Sequence, residues 1–75
     1  MTLAECPTGA DLRVLGVALE PAVRLRLREI GVHDGALLRL TRRGAFGGRV
    51  VAVGASRIAL DAATARLVHV EPLPV

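Results

Sequence analysis

The sequence predicts a mainly β domain with one amphipathic helix, in which five short strands curl into a small β-barrel that the helix covers. Three observations predict it. Short runs of β-forming residues recur with glycine- or proline-bearing turns between them. Only the segment opening on Glu20-Pro21 shows a sustained helical period. The length, 75 residues, suffices for one hydrophobic core and is too short for two.

Residues 1–9 read as a connector, with Leu3 and Cys6 ahead of the Pro7-Thr8-Gly9 punctuation. The first strand follows over residues 11–18 and is interrupted by Gly16, which within a strand marks a bulge or a sharp bend. Pro21 then opens the helix, because proline at the first helical position loses no needed hydrogen bond and holds Glu20 extended before it. The helix is expected to reach Ile30. Val23, Leu27 and Ile30 form its expected buried stripe, while Arg24, Arg28 and Glu29 face largely outward. Gly31 ends it in a Schellman turn that brings Val32 against Leu27.

After the Asp34-Gly35 turn, residues 37–43 alternate as a half-buried second strand with Leu38 and Leu40 on one side. Gly44-Ala45-Phe46-Gly47-Gly48 is expected to be a mobile hairpin loop leading into a third strand over residues 50–53. Gly54-Ala55-Ser56 turns the chain into a fourth strand at residues 58–60, and Asp61 caps one helical turn ending at Ala65. The fifth strand spans residues 67–71, with Pro72 and Pro74 stopping it and leaving a short tail. Residues 1–75 are thus read as a single domain, without internal repeats or low-complexity segments.

Composition narrows the classes of function. Cys6 is the only cysteine, which rules out an internal disulfide and fits the reducing cytosol. The N-terminus lacks the basic and continuous apolar regions of a secretory signal. The longest uncharged apolar run, residues 14–19, is far short of the roughly 20 residues needed to span a bilayer. The expected location is therefore cytoplasmic, without membrane insertion. Hydrophobic residues make up 52% of the chain, more than so small a barrel can enclose, so apolar surface is expected to remain for a partner. All ten basic residues are arginine and the formal charge is +3, which permits contact with nucleic acid or an acidic protein surface.

The order of these residues resembles the FeoA family. Leu3 and Pro7-x-Gly9 open the resemblance, and Arg26-Leu27-Arg28-Glu29-Ile30-Gly31-Val32 with Gly35 forms its most specific block. Gly54, Ile58-Ala59-Leu60 and Ala65-x-x-Val68-x-Val70 complete it. The resemblance implies a small SH3-like β-barrel that accompanies the bacterial ferrous-iron permease FeoB, binding its cytosolic region and modulating iron uptake without enzymatic activity. It also carries the family's association with iron homeostasis and transition-metal binding. Asp34 and Gly47-Gly48 stand where the family often has proline, so looser turns are expected there. The same module closes DtxR-like metal-dependent repressors; a chain that begins at Met1 without DNA-binding helices is expected to be the stand-alone form.

The titratable residues offer no catalytic set, and no cofactor site is read from the sequence. Cys6, His33 and His69 are far apart in sequence, and no close pair of the C-x-x-C or H-x-x-x-H kind marks a metal site. Cys6 is expected to be a partly buried thiol, and His33-Asp34 a solvated turn. The glycines around Phe46 lack the order of a phosphate-binding loop. Phe46 is the only aromatic residue, so no stacking platform for nucleic acid can be assembled.

What remains is a protein-docking pattern. Leu25 lies off the buried stripe between Arg24 and Arg28, giving an apolar centre with a basic rim, and Phe46 either adds a second contact or folds back over the core. Arg24, Leu25, Arg28 and Phe46 are therefore the candidate partner-binding residues. A basic nucleic-acid-binding barrel, a ferrous-iron carrier or sensor, and a homo-oligomer stand as the alternatives.

Overall fold

The structure, a computed structural model, describes residues 1–74; Val75, the end of the expected tail, lies outside them. A 3-10 turn at Leu3–Glu5 precedes β1 (Asp11–Val17), α1 (Pro21–Glu29) and β2 (Leu37–Arg43). A second 3-10 turn, Ala45–Gly47, leads to β3 (Arg49–Val53) and β4 (Ser56–Leu60), followed by α2 (Ala62–Ala65) and β5 (Val68–Pro72). The five strands form one antiparallel sheet in the order β4-β3-β2-β1-β5.

The boundaries of the last two strands shift from expectation. Ser56 belongs to β4 because it pairs with Val53, leaving a two-residue turn at Gly54-Ala55. Leu67 stays outside β5 because its N–H donates to the Thr64 carbonyl and closes α2. Pro72 lies within β5, at its end and opposite Leu12, where a missing N–H costs least.

Bulges curve the sheet. In β1 the register against β5 slips between Val14 and Gly16, as Gly16 predicts, and Leu15 is turned outward. A second slip between Leu40 and Arg42 sets Thr41 apart in β2, and its hydroxyl donates to the Val50 carbonyl at 3.0 Å. Among the described residues no ladder joins β4 to β5, so the barrel stays open. The free edge of β5 is instead met by the N-terminus: Thr2 bridges to His69, and the Val70 N–H donates to the Met1 carbonyl at 2.8 Å.

The core differs from expectation in what covers it. Leu12, Val14, Leu38, Leu40, Val51, Val68 and Val70 supply the inner face of the sheet. Leu27 is the only buried residue of α1; Val23 is half-buried and Ile30 is 47% exposed. The expected stripe is thus reduced to its middle member, because the helix touches the core only near its C-terminal end. That end is fixed as expected. Val32 N–H donates to the Leu27 carbonyl at 2.8 Å and Gly31 N–H to that of Arg28 at 3.1 Å, with Gly31 at φ +100°. Val32 is fully buried beside Leu27.

The segment read as a connector is the real plug. Leu3 and Cys6 both lie in the core, and the 3-10 turn between them packs on α2 and β5. Glu5 folds back to accept the Thr2 N–H at 2.8 Å, a contact that holds its carboxyl below the usual range.

Candidate docking surface

Pro21 and the Schellman turn fix the two ends of α1, and between them the helix presents Arg24 and Arg28 one turn apart on one face. Leu25 stands beside them, 58% exposed. After Gly31 reverses the chain, His33 and Asp34 return alongside this face. The result is a shallow groove of about 470 Å³ lined by Val17, Pro21, Arg24, Leu25, Arg28, Val32, His33 and Asp34. Three of the four residues predicted from sequence therefore share one groove. Phe46 does not line it.

The electrostatics of the groove are basic. The two ion pairs among the described residues are Arg13–Glu71 at 3.3 Å and Arg39–Asp11 at 2.7 Å, so Arg24 and Arg28 have no carboxylate partner. Asp34 is the one acid on the rim. His33 and Asp34 are exposed, and the His33 Nδ1 lies 3.0 Å from the Asp34 carbonyl oxygen. Val17, Pro21, Val32, His33 and Asp34 were missed as lining residues. The only local signal for the last two was the predicted C-cap reversal, which returns the chain alongside the helix.

Phe46 is fully exposed at the tip of the β2–β3 loop and does not fold back over the core. Its backbone is left-handed, φ 52° and ψ 39°, a conformation bulky residues seldom adopt. The loop expected to be mobile is internally hydrogen-bonded. Gly44 N–H donates to the Gly48 carbonyl at 2.9 Å, and Gly48 N–H to that of Ala45 at 3.0 Å. Arg49, only 8% exposed, donates to the carbonyls of Gly47 at 2.6 Å, Gly48 at 2.9 Å and Ala4 at 2.8 Å. This guanidinium ties the loop to the N-terminal turn.

Cys6, expected to be partly buried, is almost wholly so. Its thiol donates to the Thr2 carbonyl at 3.3 Å, and burial pushes its pKa up, which disfavours a nucleophilic thiolate. His69 lies exposed on β5. Among the described residues no three of His, Cys, Asp or Glu converge as metal ligands. No helix among them is long and apolar enough to cross a membrane.

A family model described as the FeoA domain matches residues 1–72. No curated protein matches the chain. Among solved structures, the FeoA protein of Chlorobium tepidum is 32% identical with a TM-score of 0.90, covering 99% of this chain and 71% of that one. FeoA of Stenotrophomonas maltophilia is 37% identical with a TM-score of 0.77, covering 95% of this chain and 89% of that one. That protein was solved with zinc and is described as a prokaryotic SH3 domain protein and a candidate activating factor of bacterial ferrous iron transport. The metal-dependent transcriptional regulator MtsR is alike in fold alone, at 16% identity and a TM-score of 0.83, with 97% of this chain and 34% of that one covered. The mainly β, SH3-like fold read from the sequence is the fold of these relatives.

Proposed function

The chain belongs to the FeoA family, which is associated with ferrous iron transport, and we propose that it is a non-enzymatic cytosolic accessory that docks through the α1 groove onto the cytosolic region of the FeoB permease. One observation carries the reading: an exposed leucine stands between two arginines that have no ion-pair partner among the described residues, in a groove that Val17, Pro21 and Val32 also line. Leu25 supplies apolar area to bury, and Arg24 and Arg28 supply orientation and selectivity for an acidic rim. Burying the exposed half of Leu25 contributes on the order of 1 kcal/mol, so the complex needs further contacts and is expected to be transient. The transport-activating role suggested for the Stenotrophomonas maltophilia relative fits an accessory that works by binding. The zinc found with that relative is not carried over, because no ligand set converges among the described residues here.

The test is an NMR titration of the labelled chain with the cytosolic region of FeoB from the same organism. Saturable shifts are expected at Arg24, Leu25 and Arg28, and Arg28→Glu is expected to weaken binding at least ten-fold, about 1.4 kcal/mol, since it sets a like charge against the partner's acidic rim. Absence of shifts with millimolar partner, while the chain remains folded, overturns the docking reading.

A further inference from the structure

The β2–β3 loop is built to hold one aromatic ring in solvent. Phe46 is the sole aromatic of the chain, fully exposed, and kept in a left-handed backbone that only glycine adopts freely. The loop is held from several sides. Arg49 donates to the carbonyls of Gly47 and Gly48 from beneath. A Cβ on Gly47 would meet that of Ala62 in α2 at 3.3 Å, and one on Gly48 would lie 2.9 Å from the Leu60 carbonyl oxygen, so the loop is seated on α2 and β4. Strain, exposure and fixation at one position point to recognition, because a ring that only filled space would be folded inward.

The surroundings define the partner. The residues flanking Phe46 are alanine and glycine, so the tip offers one ring and no patch of the area a protein interface requires. At the foot of the same loop, Arg42 and Arg43 close β2, both exposed and neither in an ion pair among the described residues. A single protruding ring with two exposed cations at the foot of its loop matches the headgroup region of an anionic bilayer, where apolar rings enter the interface and arginines meet phosphates. We propose that this loop is a membrane-surface anchor, in which Phe46 enters the interface of an anionic phospholipid bilayer and Arg42 and Arg43 engage the headgroups. The anchor is separate from the α1 groove and does not rest on it. One ring and two arginines give reversible association and not stable attachment.

The chain contains no tryptophan or tyrosine, so Phe46→Trp places a single indole at the tip without background. The experiment adds vesicles of phosphatidylcholine and phosphatidylglycerol in equal parts, or of phosphatidylcholine alone, to the full chain. Expected are a blue shift and shielding from acrylamide with the anionic vesicles, reversed by high salt. Partition should weaken about five-fold for each arginine replaced in Arg42→Gln and Arg43→Gln. The unsubstituted chain should float with the same vesicles, and Phe46→Ser, checked for folding by circular dichroism, should not. Unchanged emission with anionic vesicles overturns the proposal. So does equal partition into phosphatidylcholine alone, or a blue shift that grows with protein concentration before lipid is added, which would identify a second copy as the occupant. The assay contains no protein partner, so its failure leaves the groove reading standing, and failure of the NMR titration leaves this one standing.

Discussion

Gly31 shows how much a single position carries. Its φ of +100° suits glycine, and a Cβ there would stand 2.8 Å from the Val53 Cγ1. Gly31→Ala should therefore destabilise the fold by more than about 1 kcal/mol, since both the backbone and the neighbour resist it. In urea denaturation, adding Val53→Ala should recover the steric part and leave the backbone part, a non-zero coupling in the double-mutant cycle. Additive losses would mean that the contact with Val53 does not matter. Arg49 is a different case, a buried cation that serves three carbonyls, with its Nε lacking a partner among the described residues. Nothing in the local sequence distinguishes it from the nine surface arginines, because its role depends on Ala4, 45 residues away.

At the scale of elements, α1 is defined by its ends more than by its face. Proline at its start and the Schellman closure at its end were legible because both depend on neighbours within a turn. The buried stripe was misread because the period shows which residues share a face, and only the sheet decides how much of that face it meets. Leu27→Ala should cost about 2 to 4 kcal/mol, whereas Ile30→Ser, on the exposed position, should stay within about 0.5 kcal/mol by thermal denaturation. Acid should weaken both α2 and the β1–β2 pair. The Asp61 carboxylate accepts the Thr64 N–H at 2.7 Å and that of Asp11 accepts from Arg39, and these contacts hold both carboxyls below their usual range. Their stabilisation is complete above the unfolded aspartate pKa of about 3.9 and is lost as pH falls through the lower folded values. Asp61→Asn should keep the cap and flatten the acid limb of a Tm-against-pH profile; an unchanged profile would show that the cap's charge contributes nothing.

Across the whole molecule, the N-terminal segment completes the core. Leu3 and Cys6 are buried, Met1 and Thr2 meet the edge of β5, and Ala4 accepts from Arg49. Deleting residues 1–6 should leave the sheet uncovered on one side and collapse the amide dispersion of the NMR spectrum toward random-coil values. Retention of a folded spectrum after the N-terminal deletion would show that the sheet and α1 suffice. The two surfaces proposed for recognition draw on different parts of the fold, since Phe46 does not line the α1 groove. Each can thus be altered without disturbing the other.

Five strands, one amphipathic helix with its caps and the bulge at Gly16 were readable from sequence. Each rests on interactions within a few residues, where spacing and side-chain type constrain the backbone directly. Leu25 with Arg24 and Arg28 was legible as a surface pattern for the same reason. Only the tertiary structure decided that the N-terminus plugs the core, that the barrel stays open between β4 and β5, and that Arg49 is buried while Phe46 projects. Those outcomes depend on chain segments tens of residues apart competing for the same inner face of the sheet, and a side chain's burial is set by which of them arrives there.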